Sequence, residues 1–315
     1  MTGDYGDPSR AEAQAAERAR RRAEAHRRLR RQRLLAAGAI VLVGGGIAAV
    51  VASSGGSGGG RQTRSVASRG KGGRGEAGQG EAGGKVRNAT PQPGWKPYSG
   101  PVPILEYHVL GRPRTEVAYP ELYVPRASFR KQMDWLDRQG YEAVTLEAVE
   151  EAWYHGGTLP PKPIVISFDD GYRPQYTFAL PTLREHGWPG LLNLKAEGSD
   201  LYESNVKAML AARWELAAHT INHSDLTTLE GEALEEEVGG SRKILQREYG
   251  VAVNDFCYPA GRFDEATVAA VEAAGYVGAT TEIPGLATKD HPYELARIEV
   301  LGSWTLTDLA AALRA

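Results

Sequence analysis

From residue 101 onward, short apolar runs alternate with stretches whose apolar side chains recur every three to four positions. The runs predict strands at 102–107, 141–145, 164–168, 190–194, 214–218, 254–258, 276–280 and 295–300. The periodic stretches predict helices from Ser128, read as an N-cap, to Gly140, and over 146–154, 174–186, 205–212, 231–249, 265–274 and 307–313. Ile164-Val165-Ile166 is unbroken, as expected of a parallel strand covered on both faces. Strands alternating with helices define an α/β domain, either a barrel or a wound parallel sheet. Both architectures carry function at the C-terminal ends of their strands. No internal repeat is visible.

The first hundred residues follow a different pattern. Residues 1–33 hold ten Arg against five acids, and residues 34–52 hold no charge at all. Nineteen residues at 1.5 Å each extend about 28 Å, close to the thickness of a bilayer's hydrocarbon. With the Arg cluster in front, this predicts a single membrane span with a cytoplasmic N-terminus. A cleaved signal peptide ending at Val50-Val51-Ala52 is the competing reading, and it would make the remainder secreted. Residues 53–97 read as a Gly-rich linker too polar to form a core, which leaves 98–315 as one catalytic-sized domain.

Charge sharpens this division. Residues 1–100 carry 18 Lys and Arg against 7 acids, a net of +11, while residues 101–315 carry 19 against 32, a net of −13. The acidic domain argues against a nucleic-acid partner. Nothing in the sequence implies a protein partner. A single cysteine, Cys257, excludes an intrachain disulfide framework and any multi-Cys zinc site.

Two motifs can carry chemistry. Asp169-Asp170 closes the strand 164–168, and adjacent carboxylates call for a cation to offset their repulsion. The plainer reading is a loop pair plus a helix N-cap. His219-Thr220-Ile221-Asn222-His223 follows the strand 214–218, and spacing of four puts both imidazoles on one side of a helical turn, as metal ligands require. Two His and one Asp leave open coordination positions, the pattern of a catalytic site. Zinc fits, and Co, Ni, Mn or Fe suit the same donors. A glycosidase using Asp169 and Asp170 is disfavoured, because sequence neighbours on a strand point apart and the histidines would have no role.

In order and spacing, Ser167–Tyr172 and His219–His223 resemble the first two motifs of the NodB-homology polysaccharide deacetylases, carbohydrate esterase family 4. The stretches 102–108, 256–264 and 295–300 are similar to that family's opening strand, third motif and last strand. The resemblance implies a distorted (β/α)7 barrel and a divalent-metal N-deacetylase acting on an N-acetylated polysaccharide or peptidoglycan. It implies Asp169 as catalytic base, Asp170, His219 and His223 as metal ligands, and the Ala260 N–H as oxyanion donor. Tyr172, Tyr258 and Pro259 become candidates for substrate contact, as does His108. Two positions depart from the family pattern: Cys257 stands where an Arg often pairs the catalytic Asp, and Arg297 where a His often acts as general acid. Arg297 is therefore expected to supply the charge that pairs Asp169, and leaving-group protonation falls to Asp169 itself or to His108. A catalytically weak glycan-binding module is the alternative that these departures leave open. His155 and His186 are read as helix-terminal, Cys257 as a small buried hydrophobe, and Glu235-Glu236-Glu237 as a solvated face.

Overall fold

The computed structural model describes residues 86–314 apart from residue 115. The segments 1–33 and 34–52, and the linker as far as residue 85, lie outside the described residues. Among the described residues no helix is long and apolar enough to cross a membrane.

Seven parallel strands close into a barrel. In chain order the labelled strands are β1 (Ile104–Tyr107), β2 (Glu142–Ala143), β3 (Pro163–Asp169), β4 (Leu191–Leu194), β5 (Glu215–Ala218), β6 (Asp255–Cys257), β7 (Gly278–Pro284) and β8 (Leu295–Glu299). The hydrogen-bonded order is β1-β8-β7-β6-β5-β4-β3, and β3 pairs back onto β1 with Ile104 opposite Val165. β2 adds a short parallel pair at the start of β3.

Strand alternation sorts the side chains. Ile166 and Phe168 pack outward with Tyr107, Phe129 and Trp214 under the helical layer. Val165, Ile104, Leu191, Ala217 and Leu295 fill the barrel interior. Ser167 and Asp169 share the inward parity of Val165 but sit higher, which makes the upper interior polar. The lower end is stoppered by α2 (Leu146–His155), whose Leu146, Val149 and Trp153 join the interior cluster. Thr145 caps α2, and Glu215 at the start of β5 accepts from its first two N–H groups, Leu146 at 2.5 Å and Glu147 at 2.8 Å.

The helix α1 (Arg126–Arg138) buries Phe129, Gln132, Met133 and Leu136 along one stripe. It starts two residues before Ser128, because Pro125 already sets a helical entry φ of −56° and no side chain caps the end. The predicted helix over 174–186 is a π-helical turn, Gln175–Ala179, running into α3 (Leu180–His186). The predicted helix over 231–249 is α4 (Gly231–Glu235), a second π-helical turn Glu236–Gly240, then α5 (Ser241–Tyr249). The folded body also begins earlier than residue 98. Arg87 and Asn88 N–H donate to Gly187 O, Asn88 is buried, and Lys96–Pro97 pairs antiparallel with Thr158–Leu159.

Candidate active site

The site lies where β3 ends. Asp169 is its last residue, and the chain turns at once through two left-handed residues, Asp170 (φ 73°) and Gly171 (φ 76°). A Cβ on Gly171 would lie 2.6 Å from Leu194 Cδ1, so space as well as φ demands glycine there. Asp170 N–H donates to Asn193 O at 3.1 Å, which ties the turn to β4.

Asp169 is 2% exposed and its carboxylate is enclosed by donors. Arg297 of β8 donates to both oxygens, Nη1 to Oδ1 and Nη2 to Oδ2, each at 2.9 Å. Asn193 Nδ2 donates to Oδ1 at 2.6 Å, and the Cys257 thiol lies 3.5 Å from Oδ2. Burial alone would raise this carboxyl's pKa. The Arg297 guanidinium, aided by His108 and His219, more than reverses that and holds it well below the usual carboxylate range. Arg297 is 1% exposed and satisfied all round, since Nε donates to Thr281 O and Nη1 also reaches Ser167 Oγ.

A second carboxyl adjoins this pair. Glu106 of β1 is fully buried, with Oε2 3.2 Å from Arg297 Nη2. Burial pushes Glu106 well above the ordinary range, opposed by Arg297 and reinforced by Asp169. One guanidinium thus faces two buried carboxyls, and burial disfavours a charge on the second. His108 sits between the two, with Nε2 3.8 Å from Glu106 Oε1 and 4.0 Å from Asp169 Oδ2. Buried Gln175 fixes both strand ends by donating to His108 O at 3.0 Å and Asp169 O at 2.6 Å.

Asp170, His219 and His223 form a compact donor set, each offering one atom within 4.8 Å of the others. His219 Nδ1–H donates to Cys257 O at 2.8 Å, so Nε2 keeps its lone pair, 3.9 Å from Asp170 Oδ1. Burial pushes His219 down to about 4, against the pull of Asp169 and Asp170, so the ring is neutral as a ligand must be. His223 Nε2 lies 3.5 Å from the same oxygen and Lys195 Nζ 3.6 Å from it. The two imidazoles meet through a loop rather than a helical turn. Thr220 and His223 are both left-handed (φ 62°), and the rings stand 4.8 Å apart. A two-His, one-carboxylate set fits a divalent metal with open positions. Asp169, His219 and Cys257 are equally close, but Asp169 is committed to Arg297 and burial keeps Cys257 a thiol.

The structure separates the remaining candidates. Tyr258 is a core residue: fully buried, it stacks on Phe263 and meets Phe256 edge-on, because it follows inward-facing Cys257 and so turns outward. It offers no face to a sugar. Pro259 is buried in the short turn Pro259–Gly261 after β6, where Ala260 is left-handed (φ 51°). Tyr172 is half-buried with its hydroxyl bonded to Asp170. Tyr202 is an exposed aromatic, 64% open to solvent, with Arg173 4.3 Å above its ring. Glu106, Gln175, Asn193 and Lys195 were not singled out by sequence reading. For Glu106 and Asn193 the one available signal was a polar residue at inward parity in an apolar strand, as in Leu191-Leu192-Asn193-Leu194; Gln175 and Lys195 lie outside the strands and carried no such signal. His155 and His186 do end their helices, and His186 stacks on Trp188.

A closed barrel with paired carboxylates and a His/Asp donor set at its mouth defines a hydrolase architecture, and comparison with known proteins gives it a family. Residues 156–279 match the family described as polysaccharide deacetylase. YxkH of Bacillus subtilis (strain 168), which its name assigns provisionally to the polysaccharide deacetylases, is 31% identical over 205 residues, 63% of this chain and 71% of YxkH. The chain belongs to the polysaccharide deacetylase family and is a hydrolase of amide carbon–nitrogen bonds. The poly-β-1,6-N-acetyl-D-glucosamine N-deacetylase of Escherichia coli (strain K12) is 38% identical over 68 residues, 22% of this chain and 10% of that protein. Among solved structures, the Streptococcus pyogenes deacetylase PplD in complex with acetate has a TM-score of 0.64 at 23% identity, covering 69% of this chain and 99% of that one. IcaB from Ammonifex degensii has a TM-score of 0.59 at 24% identity, covering 69% and 99%. These two likenesses show the barrel fold.

Proposed function

We propose that the protein is a metal-dependent N-deacetylase of N-acetylglucosamine-type units in a cell-wall or extracellular polysaccharide, held to the membrane by residues 34–52 with its barrel outside. The observation that carries this reading is the clamped Asp169 beside the Asp170, His219 and His223 donors. The uncharged stretch 34–52 behind an Arg-rich segment supports the anchor. The short match to the poly-β-1,6-N-acetyl-D-glucosamine N-deacetylase supports the glycan class.

Asp170, His219 and His223 would hold the metal, which supplies Lewis acidity toward an acetamide carbonyl and its attacking water. Asp169 accepts the water's proton. Arg297 keeps Asp169 ionised at every working pH, and the same pairing makes it a weak base suited to an acidified water. The Ala260 N–H is the donor for the developing oxyanion. Arg297 cannot release a proton near neutrality. His108, beside Asp169 and Glu106, is the group that returns one to the departing amine. The Tyr202 ring, with Arg173 over it, supports a neighbouring sugar. The weak-binder alternative arose from the departures at Cys257 and Arg297; Arg297 supplies the guanidinium missing at Cys257 from β8, and the proton donor missing at Arg297 is assigned to His108.

Removing metal tests the reading. The detergent-purified full chain, stripped with chelator, should lose at least a hundredfold in acetate release from an N-acetylglucosamine oligomer, and added Zn²⁺ should restore it. Full activity in the stripped protein would refute metal dependence.

A further inference from the structure

The turn carrying the two histidines is held by a residue far along the chain. Its geometry is costly, since Thr220 and His223 are left-handed without being glycine and Thr220 is β-branched. Its carbonyls are taken by the chain after β4: Ala196 N–H donates to Thr220 O at 3.0 Å and Glu197 N–H to Ile221 O at 2.9 Å. Its donors converge on one carboxylate. Ile221 N–H and Asn222 N–H give to Glu237 Oε2 at 2.9 and 3.1 Å. Asn222 Nδ2 and Ser224 Oγ give to Glu237 Oε1 at 3.1 and 3.0 Å.

Glu237 lies in the π-helical turn Glu236–Gly240. Such a wide turn leaves carbonyls outside the regular ladder and is frequent at functional sites. Here the Val238 carbonyl accepts from Ser241 Oγ at 2.8 Å and from Tyr276 Oη at 2.9 Å. Tyr276 precedes β7, so the barrel itself fixes where the turn sits. The expected solvated face of Glu235-Glu236-Glu237 is therefore half right: Glu235 and Glu236 are exposed, whereas Glu237 is partly buried and fully engaged.

We propose that Glu237 is a positioning residue for metal binding, its carboxylate stapling residues 221–224 so that His219 and His223 are held at ligating separation. This rests on the reading of Asp170, His219 and His223 as the metal ligands. Outer-shell partners of metal ligands contribute about 10- to 100-fold in affinity.

Zn²⁺ affinity of the metal-free full chain, measured by competition with a chromophoric chelator, tests the staple. Glu237→Gln retains one acceptor oxygen and places an amide donor against the turn's donors. It should weaken Zn²⁺ binding by about 10- to 100-fold, alter the visible spectrum of the Co²⁺-loaded protein, and regain kcat when Zn²⁺ is raised. Glu235→Gln should bind within about twofold of wild type and Glu237→Asp between the two. Unchanged Zn²⁺ affinity in folded Glu237→Gln would overturn the proposal. If the wild-type chain bound no Zn²⁺, the ligand assignment itself would fall, an outcome distinct from an intact site indifferent to Glu237. Circular dichroism and a thermal melt keep affinity loss separate from unfolding.

Discussion

Arg297 on β8 grips both carboxylate oxygens of Asp169 on β3 at 2.9 Å, with neither side chain more than 2% exposed. The strands are not neighbours, since β1 lies between them in the sheet order. The pair therefore spans the barrel interior and fixes the carboxylate across it.

Removing the guanidinium strands two buried carboxyls, Asp169 and Glu106. Arg297→Ala should therefore destabilise the fold by about 3–5 kcal/mol as well as abolish turnover. Arg297→Lys keeps the charge but not the two-pronged geometry, and it should remain folded while losing about 10- to 100-fold in kcat/KM. Denaturant unfolding and acetate release measure the two effects, and Arg297→Ala with wild-type kcat/KM would show the pair to be catalytically idle.

Asn193 is fully buried and donates to Asp169 Oδ1 at 2.6 Å. Asn193→Leu removes one donor to a charged group, worth about 1.5–3 kcal/mol, so kcat should fall by about 10- to 100-fold with KM unchanged. A rise in KM with kcat intact would instead place Asn193 at the substrate.

The lower end of the barrel predicts a pH-dependent stability. Glu150 of α2 and Asp255 of β6 face each other above Gly278, whose added Cβ would lie 2.5 Å from Glu150 Oε1 and 3.1 Å from Asp255 Oδ1. Burial pushes Glu150 up to about 7, eased by the hydrogen bond from Asp255, which burial and Glu150 push well above its own range. A raised folded-state pKa means stability is complete below about 4.5, the unfolded value, and is lost as pH climbs towards about 7. Glu150→Gln mimics the protonated form, so it should be more stable than wild type at pH 8 by about 2–3 kcal/mol and no more stable at pH 5. Parallel unfolding curves at both pH values would contradict the shared proton.

Much of this site is legible in the sequence because strands write their parity plainly. Ile164-Val165-Ile166 marks a strand, and Asp169 falls at its end with inward parity. The His219–His223 spacing foretells that the two imidazoles meet, although Thr220 and His223 are left-handed in a loop where regular spacing suggests a helix. What stays hidden depends on long-range closure. Asn193 reads as a blemish in an apolar strand until β4 pairs with β3. Glu237 reads as one of three acids until a π-helical turn rotates it onto residues 221–224. Tyr258 looks available beside the third motif, yet a one-residue step from Cys257 sends it into the outer core.

Acetate release by the wild-type chain and by Asp169→Asn, each loaded with one equivalent of Zn²⁺, tests the central claim most directly. The wild-type protein should free acetate from an N-acetylglucosamine oligomer without new reducing ends. Asp169→Asn should keep its Zn²⁺ and lose activity by about three orders of magnitude, the scale of general-base catalysis. New reducing ends from the wild type, or undiminished acetate release from Asp169→Asn, would contradict a deacetylase built on this carboxylate.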